Sequence, residues 1–268
     1  MTRPTSAELG VRARLTAVLR ATKHVVSIEA AAKTLALDRT ATAKLLSRWT
    51  QQGWLRRIGP GAYVAVPLSL TGTQQIVDDP WVLVPALFGE CYVGGWTAAH
   101  HWDLTEQLFN KTAVFTTRRV DQKRVRTQGI NFLVHHVDKR RLFGVKSIWR
   151  GATRINVSDP ARTLIDMLAM PDSGGGIDHV ADCLVAYLKS RASDPMLLIQ
   201  YATQFENGSV FKRLGFLAER RLHDEGLASA CREHLTKGYA KLDPALHSSH
   251  LITTWRLWVP ERWKHGVA

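Results

Sequence analysis

Apolar residues repeat at helical spacing in three short stretches near the start of the chain. A first helix is predicted around Leu15 and Val18, where apolar residues are three and four positions apart. Ser27 is placed to cap a second helix, and Asp38 to cap a third, which Gly53 ends. The inward positions of this third helix are predicted to be Thr42, Leu45, Leu46 and Trp49.

A basic hairpin is predicted directly after the third helix. Residues 54–58 and 62–66 are two short β-prone runs, and Gly59-Pro60-Gly61 between them has the composition of a turn. Three short helices followed by a hairpin is the element order of a winged helix-turn-helix, in which the third helix enters the major groove of DNA. We therefore expect residues 1–70 to form a DNA-binding domain.

The rest of the chain changes from mixed to mainly helical. Residues 79–170 are predicted to form a mixed α/β domain, with helices opened by Asp79-Pro80 and Ser158-Asp159-Pro160. Its β-prone runs are residues 112–117, 130–137 and 148–157. Residues 171–268 are predicted to be mainly helical after a linker at Gly174-Gly175-Gly176, with Asp194-Pro195 opening one helix and Ser209 capping the next. The fold class expected is α+β.

The net charge is concentrated at the N-terminal end. The 268 residues carry +13 in total, and residues 1–70 carry +8 of it, from eleven basic and three acidic side chains. A polyanionic partner is indicated, and on a helix-turn-helix pattern this partner is double-stranded DNA. The candidate DNA-binding residues lie on the outer face of the third helix and on the first hairpin strand: Arg39, Thr40, Lys44, Ser47, Arg48, Arg56 and Arg57.

Composition also restricts the class of protein. No run of about 18 apolar residues is present, and the first residues lack the apolar region of a signal peptide. The three cysteines, Cys91, Cys183 and Cys231, are odd in number and far apart, which argues against a disulfide framework. We expect a cytoplasmic protein that has no membrane partner.

Three short motifs allow an enzymatic interpretation. Gly94-Gly95 is typical of a nucleotidyltransferase turn, but no Asp-x-Asp pair follows it to hold Mg²⁺. Asp121-Gln122-Lys123 matches half of a nuclease motif, but it lies in a polar, basic stretch that favours a solvated loop or a hairpin tip. The pairs His100-His101 and His135-His136 point adjacent side chains in different directions and do not form metal sites by themselves. We expect no catalytic residue, no bound metal and no cofactor.

Six segments in the same order resemble the AbiEi-type antitoxins of bacterial toxin–antitoxin and abortive-infection systems. The two most specific are Ser158-Asp159-Pro160-Ala161-Arg162-Thr163-Leu164-Ile165-Asp166 and Lys212-Arg213-Leu214-Gly215-Phe216-Leu217. The other four are residues 61–63 at the end of the predicted hairpin, residues 92–107, residues 174–177, and residues 242–244 together with 255–257. Together these segments span most of the chain.

The resemblance implies a non-catalytic transcriptional repressor of its own operon. It also implies an antitoxin that counters a nucleotidyltransferase-like toxin, directly or indirectly, through its C-terminal region, with a homodimer as one arrangement on repeated operator sites. Two alternatives stay open: a metal-dependent nuclease or nucleotidyltransferase acting on nucleic acid, and a non-catalytic protein-interaction module.

Two further groups of charged residues are singled out in the resembling segments. Asp159, Arg162 and Asp166 fall on one helical face, where they are expected to pair and lock the helix against the sheet. A second cationic patch is predicted on a C-terminal helix, and it would consist of Lys212, Arg213, Arg220 and Arg221.

Overall fold

The computed structural model describes residues 10–22, 25–66, 79–127 and 129–264. Arg3, Glu8 and Lys23, which contribute to the N-terminal charge, lie outside these ranges. Within these ranges the fold is mixed α/β, with helices and three sheets, two of three strands and one of six. In the described ranges no helix has the length and apolar character needed to cross a membrane.

The N-terminal part contains the three predicted helices and the predicted hairpin. Ser27 caps the second helix through the amide of Ala30, and Asp38 caps the third through the amide of Ala41. The hairpin is joined by a two-residue strand that was not predicted, which gives a three-stranded sheet in the order β1-β3-β2. In chain order the elements are α1 (Val11–Thr22), β1 (Val26–Ser27), α2 (Ile28–Leu35), α3 (Arg39–Gln51), β2 (Leu55–Gly59) and β3 (Ala62–Ala65).

This small sheet is covered on both faces. Leu55 and Tyr63 pack with the helices around Leu46 and Trp49. Ile58, Ala62 and Val64 belong instead to the core of the following region, together with Val82 and Phe132. The hairpin is therefore fixed between the three helices and the body of the protein.

A six-stranded sheet forms the middle of the molecule, in the order β6-β7-β5-β4-β9-β8. The prediction of one strand at residues 148–157 is wrong. Gly151, with φ of +57°, turns the chain, and the residues on either side of it form a hairpin. Strands β4 and β6 were not predicted. After a 3₁₀ turn at Pro80–Leu83, the elements are α4 (Val84–Phe88), β4 (Cys91–Val93), α5 (Gly95–His101), β5 (Thr112–Thr116), β6 (Arg124–Thr127), β7 (Ile130–His136), β8 (Val145–Arg150) and β9 (Thr153–Ser158).

Helices then enclose the largest core. The predicted cap at Ser209 is wrong, because the side chain of Asn207 accepts from the amide of Ser209 and α9 begins at Gly208. A small sheet in the order β10-β12-β11 closes the chain. The elements are α6 (Pro160–Ala169), α7 (Ile177–Lys189), α8 (Pro195–Phe205), α9 (Gly208–Leu217), a π-helical turn (Ala218–Leu222), α10 (Glu225–Arg232), β10 (Ala240–Lys241), β11 (His250–Ile252) and β12 (Leu257–Val259).

Two glycine sites show how closely this region packs. The predicted linker at Gly174-Gly175-Gly176 is wrong, because Gly174 is buried and a Cβ there would lie 2.6 Å from the Val180 side chain. A Cβ at Gly215 would lie 2.0 Å from the indole of Trp255. Only glycine lets α9 approach this tryptophan without displacing it.

Candidate nucleic-acid interface

The rotation of α3 is fixed by its buried face. Thr42, Leu46 and Trp49 are fully buried, and the carboxylate of Asp38 receives the amide of Ala41 at 2.8 Å at the start of the helix. The opposite face is consequently turned to solvent. The predicted contact residues that are exposed on this face are Arg39, Thr40, Lys44, Ser47 and Arg48.

The outer face of α3 combines small residues with cations. Lys44, Ser47 and Arg48 line a shallow concavity with Ala43 and Gln51. Because Ala43 and Ser47 are short, they leave room for a close approach to a flat partner. Long cationic side chains at the rim can reach the backbone of that partner.

Arg39 at the start of α3 forms an ion pair with Glu29 on α2. The distance between Nη1 and Oε1 is 3.3 Å, and both side chains are more than half exposed. An exposed pair of this kind contributes little to stability, so the guanidinium can exchange Glu29 for another anion at small cost.

The two hairpin arginines differ in their surroundings. Arg57 is exposed, and its Nε donates to the carbonyl oxygen of Gly59 at 3.1 Å. Arg56 is half-buried and lies opposite Val64, on the strand face that packs against the body. The two arginines that were predicted to act together therefore differ in exposure, and Arg57 is the more accessible cation.

The prediction of a second cationic patch on α9 is wrong. Lys212 and Arg213 are only 2% and 4% exposed, because other elements enclose every side of α9. The Nζ of Lys212 donates to Thr236 and Gly238, and Arg213 donates to backbone carbonyls of α6 and β10. Burial lowers the pKa of Arg213 to about 10. These cations tie the C-terminal strands to the helices and do not face a partner.

The other two members of the predicted patch are also engaged. Arg220 pairs with Glu219 at 3.2 Å, and Arg221 pairs with Asp182 at 3.3 Å. Each cation therefore has a carboxylate beside it, and the four residues do not form one surface.

Asp159, Arg162 and Asp166 form the lock that their spacing predicts. Nη2 of the fully buried Arg162 lies 3.0 Å from Oδ1 of Asp166, and Asp159 caps α6. Two tyrosines that the sequence did not indicate complete the cluster. The hydroxyl of Tyr92 donates to Asp166, and that of Tyr201 donates to Asp159.

Aromatic rings enclose the guanidinium of this cluster. It lies 4.2 Å from the ring centroid of Phe143 and 4.9 Å from that of Phe205. Burial raises the pKa of Asp166, and the opposing effect of Arg162 does not cancel it. The side chains of Arg162 and Asp166 are fully buried, and the cluster joins α6 to the sheet through Tyr92 and to α8 through Tyr201.

The residues considered for catalysis lie in different environments. Gly94-Gly95 forms the entry to α5, where a Cβ on Gly95 would lie 2.3 Å from the carbonyl oxygen of Ser173. Asp121 lies in an exposed loop, 4.0 Å from Arg119. Within the described ranges, no three His, Cys, Asp or Glu residues are grouped so that they could hold a metal ion.

The three cysteines and the pair His135-His136 are held by contacts within the fold. All three cysteines are free and buried, and burial raises the pKa of each thiol to about 12. His135 is buried against Phe115, whereas His136 is exposed and contacts the carbonyl oxygen of Arg118.

Comparison with known proteins gives one family and one fold. Residues 13–66 match the family described as "Transcriptional regulator, AbiEi antitoxin". The whole chain is similar in fold to the crystal structure of the RV2827C protein from Mycobacterium tuberculosis, with a TM-score of 0.57 and 14% identity over 96% of this chain and 93% of that one. None of the curated proteins matches the chain.

The matched residues are those that contain α1 to α3 and the hairpin, so the family match and the exposed basic helix fall on the same part of the molecule. The resemblance to AbiEi antitoxin transcriptional regulators is therefore confirmed, through residues 13–66.

Proposed function

We propose that this protein is a DNA-binding antitoxin that represses its own toxin–antitoxin operon. In this proposal residues 1–70 form a winged helix-turn-helix and α3 enters the major groove. The observation that carries the proposal is the outer face of α3, which is exposed along its length while the opposite face is locked in the core. A helix held in this way presents its polar side chains in a fixed geometry to a duplex.

Roles can be assigned to the individual side chains. Thr40 and Ser47 are short enough to approach base edges, and Lys44 can donate to guanine O6 or N7. Arg48 and Arg57 are placed to bind phosphates, and Arg39 would exchange Glu29 for a phosphate. Arg56 is assigned a minor share, because it is half-buried.

The test is binding of the full chain to the DNA immediately upstream of its own gene, measured by fluorescence anisotropy against a scrambled duplex. The wild type should prefer the upstream sequence. Lys44→Ala should reduce that preference by roughly 5- to 150-fold, because one base contact contributes about 1–3 kcal/mol of discrimination.

The matched control for this experiment is Lys189→Ala, which removes one exposed cation from the end of α7. It should leave the preference unchanged. Equal effects of the two substitutions, or no binding of the wild type at low salt, would reject the proposal.

The second half of the proposed function is neutralisation of a nucleotidyltransferase-like toxin, without catalysis by this chain. The family match and the resemblance of the C-terminal segments support it, and we assign the activity to residues 171–268, with residues 79–170 as a connecting domain. Its test is co-expression with the product of the neighbouring gene. Cells should survive with this chain and stop growing without it; equal growth in both would contradict the assignment.

A further inference from the structure

A second basic surface lies outside the helix-turn-helix. Residues 118–126 contain five cations and one acid, for a charge of +4 in nine residues. They include the exposed loop after β5 and the edge strand β6 of the six-stranded sheet. The cations are Arg118, Arg119, Lys123, Arg124 and Arg126. We refer to residues 118–126 as the basic segment.

The basic segment is linked to the hairpin through two neighbouring residues, Leu87 and Thr127. At one end, Nη1 of Arg118 donates to the carbonyl oxygen of Leu87, whose side chain packs against Gly59 of β2. At the other end, Thr127 directly follows the segment, and its hydroxyl donates to the carbonyl oxygen of Ile58 at 2.9 Å. Gly59 is also the residue whose carbonyl receives the guanidinium of Arg57. One end of the segment is therefore linked to β2 through Leu87, and the other through the adjacent Thr127.

The cations of the basic segment are largely available to an external anion. Within the described ranges, the only ion pair that involves them joins Arg119 to Asp121, at 4.0 Å, with these side chains 96% and 90% exposed. Arg124 and Arg126 are also exposed and project from the same face of β6. An edge strand that carries two arginines also resists pairing with another strand, which favours a solvated or anion-bound state of this edge.

We propose that the basic segment binds the DNA backbone beside the site read by α3, so that the footprint of the protein extends from the hairpin onto the sheet. This inference rests on the proposed function. Duplex DNA is the favoured occupant because the segment is cationic and is linked through Leu87 and Thr127 to β2, the strand that carries Arg57, the exposed cation assigned to a phosphate. Arginine and lysine on an exposed loop and a strand edge suit phosphates, which would add affinity without adding sequence preference.

The experiment compares three full-length proteins on the upstream duplex over a range of salt concentrations. Arg119→Ala/Arg126→Ala removes the exposed cation that follows Arg118 and the exposed cation that precedes Thr127. Lys189→Ala/Arg191→Ala removes two exposed cations from the end of α7 and serves as the charge-matched control. Far-UV circular dichroism and thermal unfolding confirm that all three proteins fold alike.

The double substitution in the basic segment should reduce the slope of log K against log salt by about 2, since each phosphate contributes about 0.9. Affinity should fall equally for the upstream and the scrambled duplex, and the control should keep the slope of the wild type. An unchanged slope, or an equal reduction in the control, would overturn the inference.

Other outcomes separate this inference from the proposed function. If Lys44→Ala loses sequence preference while Arg119→Ala/Arg126→Ala binds like the wild type, the inference fails and the DNA-binding function stands. If that double variant keeps DNA binding but no longer protects cells from the toxin, the segment binds an acidic protein, which also overturns the inference. If the wild type does not bind the duplex, both fail together.

Discussion

Two exposed cations of the N-terminal part and two buried cations of helices α6 and α9 have opposite surroundings. Lys44 and Arg57 are exposed: Lys44 lies on the outer face of α3, and Arg57 lies on β2, which is packed between two cores. Arg162 and Arg213 are buried, and their guanidinium groups are occupied by a carboxylate, a tyrosine hydroxyl and backbone carbonyls. Basic side chains are thus open to solvent in one place and hold neighbouring elements together in the other.

The difference shows that a positive charge in the sequence indicates a partner only where its side chain reaches solvent. In α9 the cations lie on a helix that is enclosed on every side, so they bind carbonyl oxygens of neighbouring elements. In α3 only one face is covered. The comparison therefore predicts that substitutions of the buried cations lower stability, whereas substitutions of the exposed cations weaken DNA binding.

The largest effect on stability is expected at Arg162. Arg162→Met leaves the buried carboxylate of Asp166 without its counter-charge and should lower the free energy of unfolding by about 3–5 kcal/mol. Urea denaturation monitored by tryptophan fluorescence measures the change. Arg162→Met/Asp166→Leu removes both charges and should recover most of the loss. A single variant as stable as the wild type would break the comparison.

A smaller loss is expected at Arg213, which donates to the carbonyl oxygens of Leu168 and Lys241 at 2.6 and 2.8 Å. Arg213→Met should reduce the free energy of unfolding by about 3 kcal/mol, because buried carbonyl groups lose their donor. Arg57→Met, the exposed counterpart, should change it by about 0.5 kcal/mol or less.

DNA binding should show the reverse order for these two positions. Arg57→Met should weaken binding to the upstream duplex, and Arg213→Met should leave it unchanged under conditions where the variant is folded. An equal loss of stability in Arg57→Met and Arg213→Met would contradict the comparison between exposed and buried cations.

The smallest effect concerns a buried group that becomes cationic only on protonation. Burial lowers the pKa of His135, with Lys123 adding to this effect and Asp172 opposing it. The unfolded chain therefore binds a proton near pH 6.5 that the folded chain resists, so stability should fall as the pH decreases from 7 towards 5. His135→Phe should show a shallower decrease in chemical denaturation at each pH. If stability decreased with pH equally in the wild type and in His135→Phe, the protonation of His135 would not explain the decrease.

The three N-terminal helices and the hairpin could be predicted because their signals are local. Ser27 and Asp38 cap helices within three residues, and the hairpin turn is marked by Gly59-Pro60-Gly61. The exposed face of α3 followed from the same spacing that placed Trp49 in the core.

The parts that could not be predicted depend on distant segments. Tyr92 reaches Asp166 across 74 positions of sequence, and Arg213 reaches Lys241 across 28. Strand β4 is only three residues long, and periodicity does not detect a strand of that length. The burial of Lys212 was missed for the same reason, since its partners at Thr236 and Gly238 follow α10.

The central claim is that the exposed cations of α3 and the hairpin bind DNA. Its most direct test is the salt dependence of binding to the upstream duplex for the wild type, Lys44→Ala/Arg57→Ala and the charge-matched Lys189→Ala/Arg191→Ala. The account predicts that the slope of log K against log salt falls by about 2 in the first variant and stays unchanged in the second. The same slope in all three proteins would contradict it.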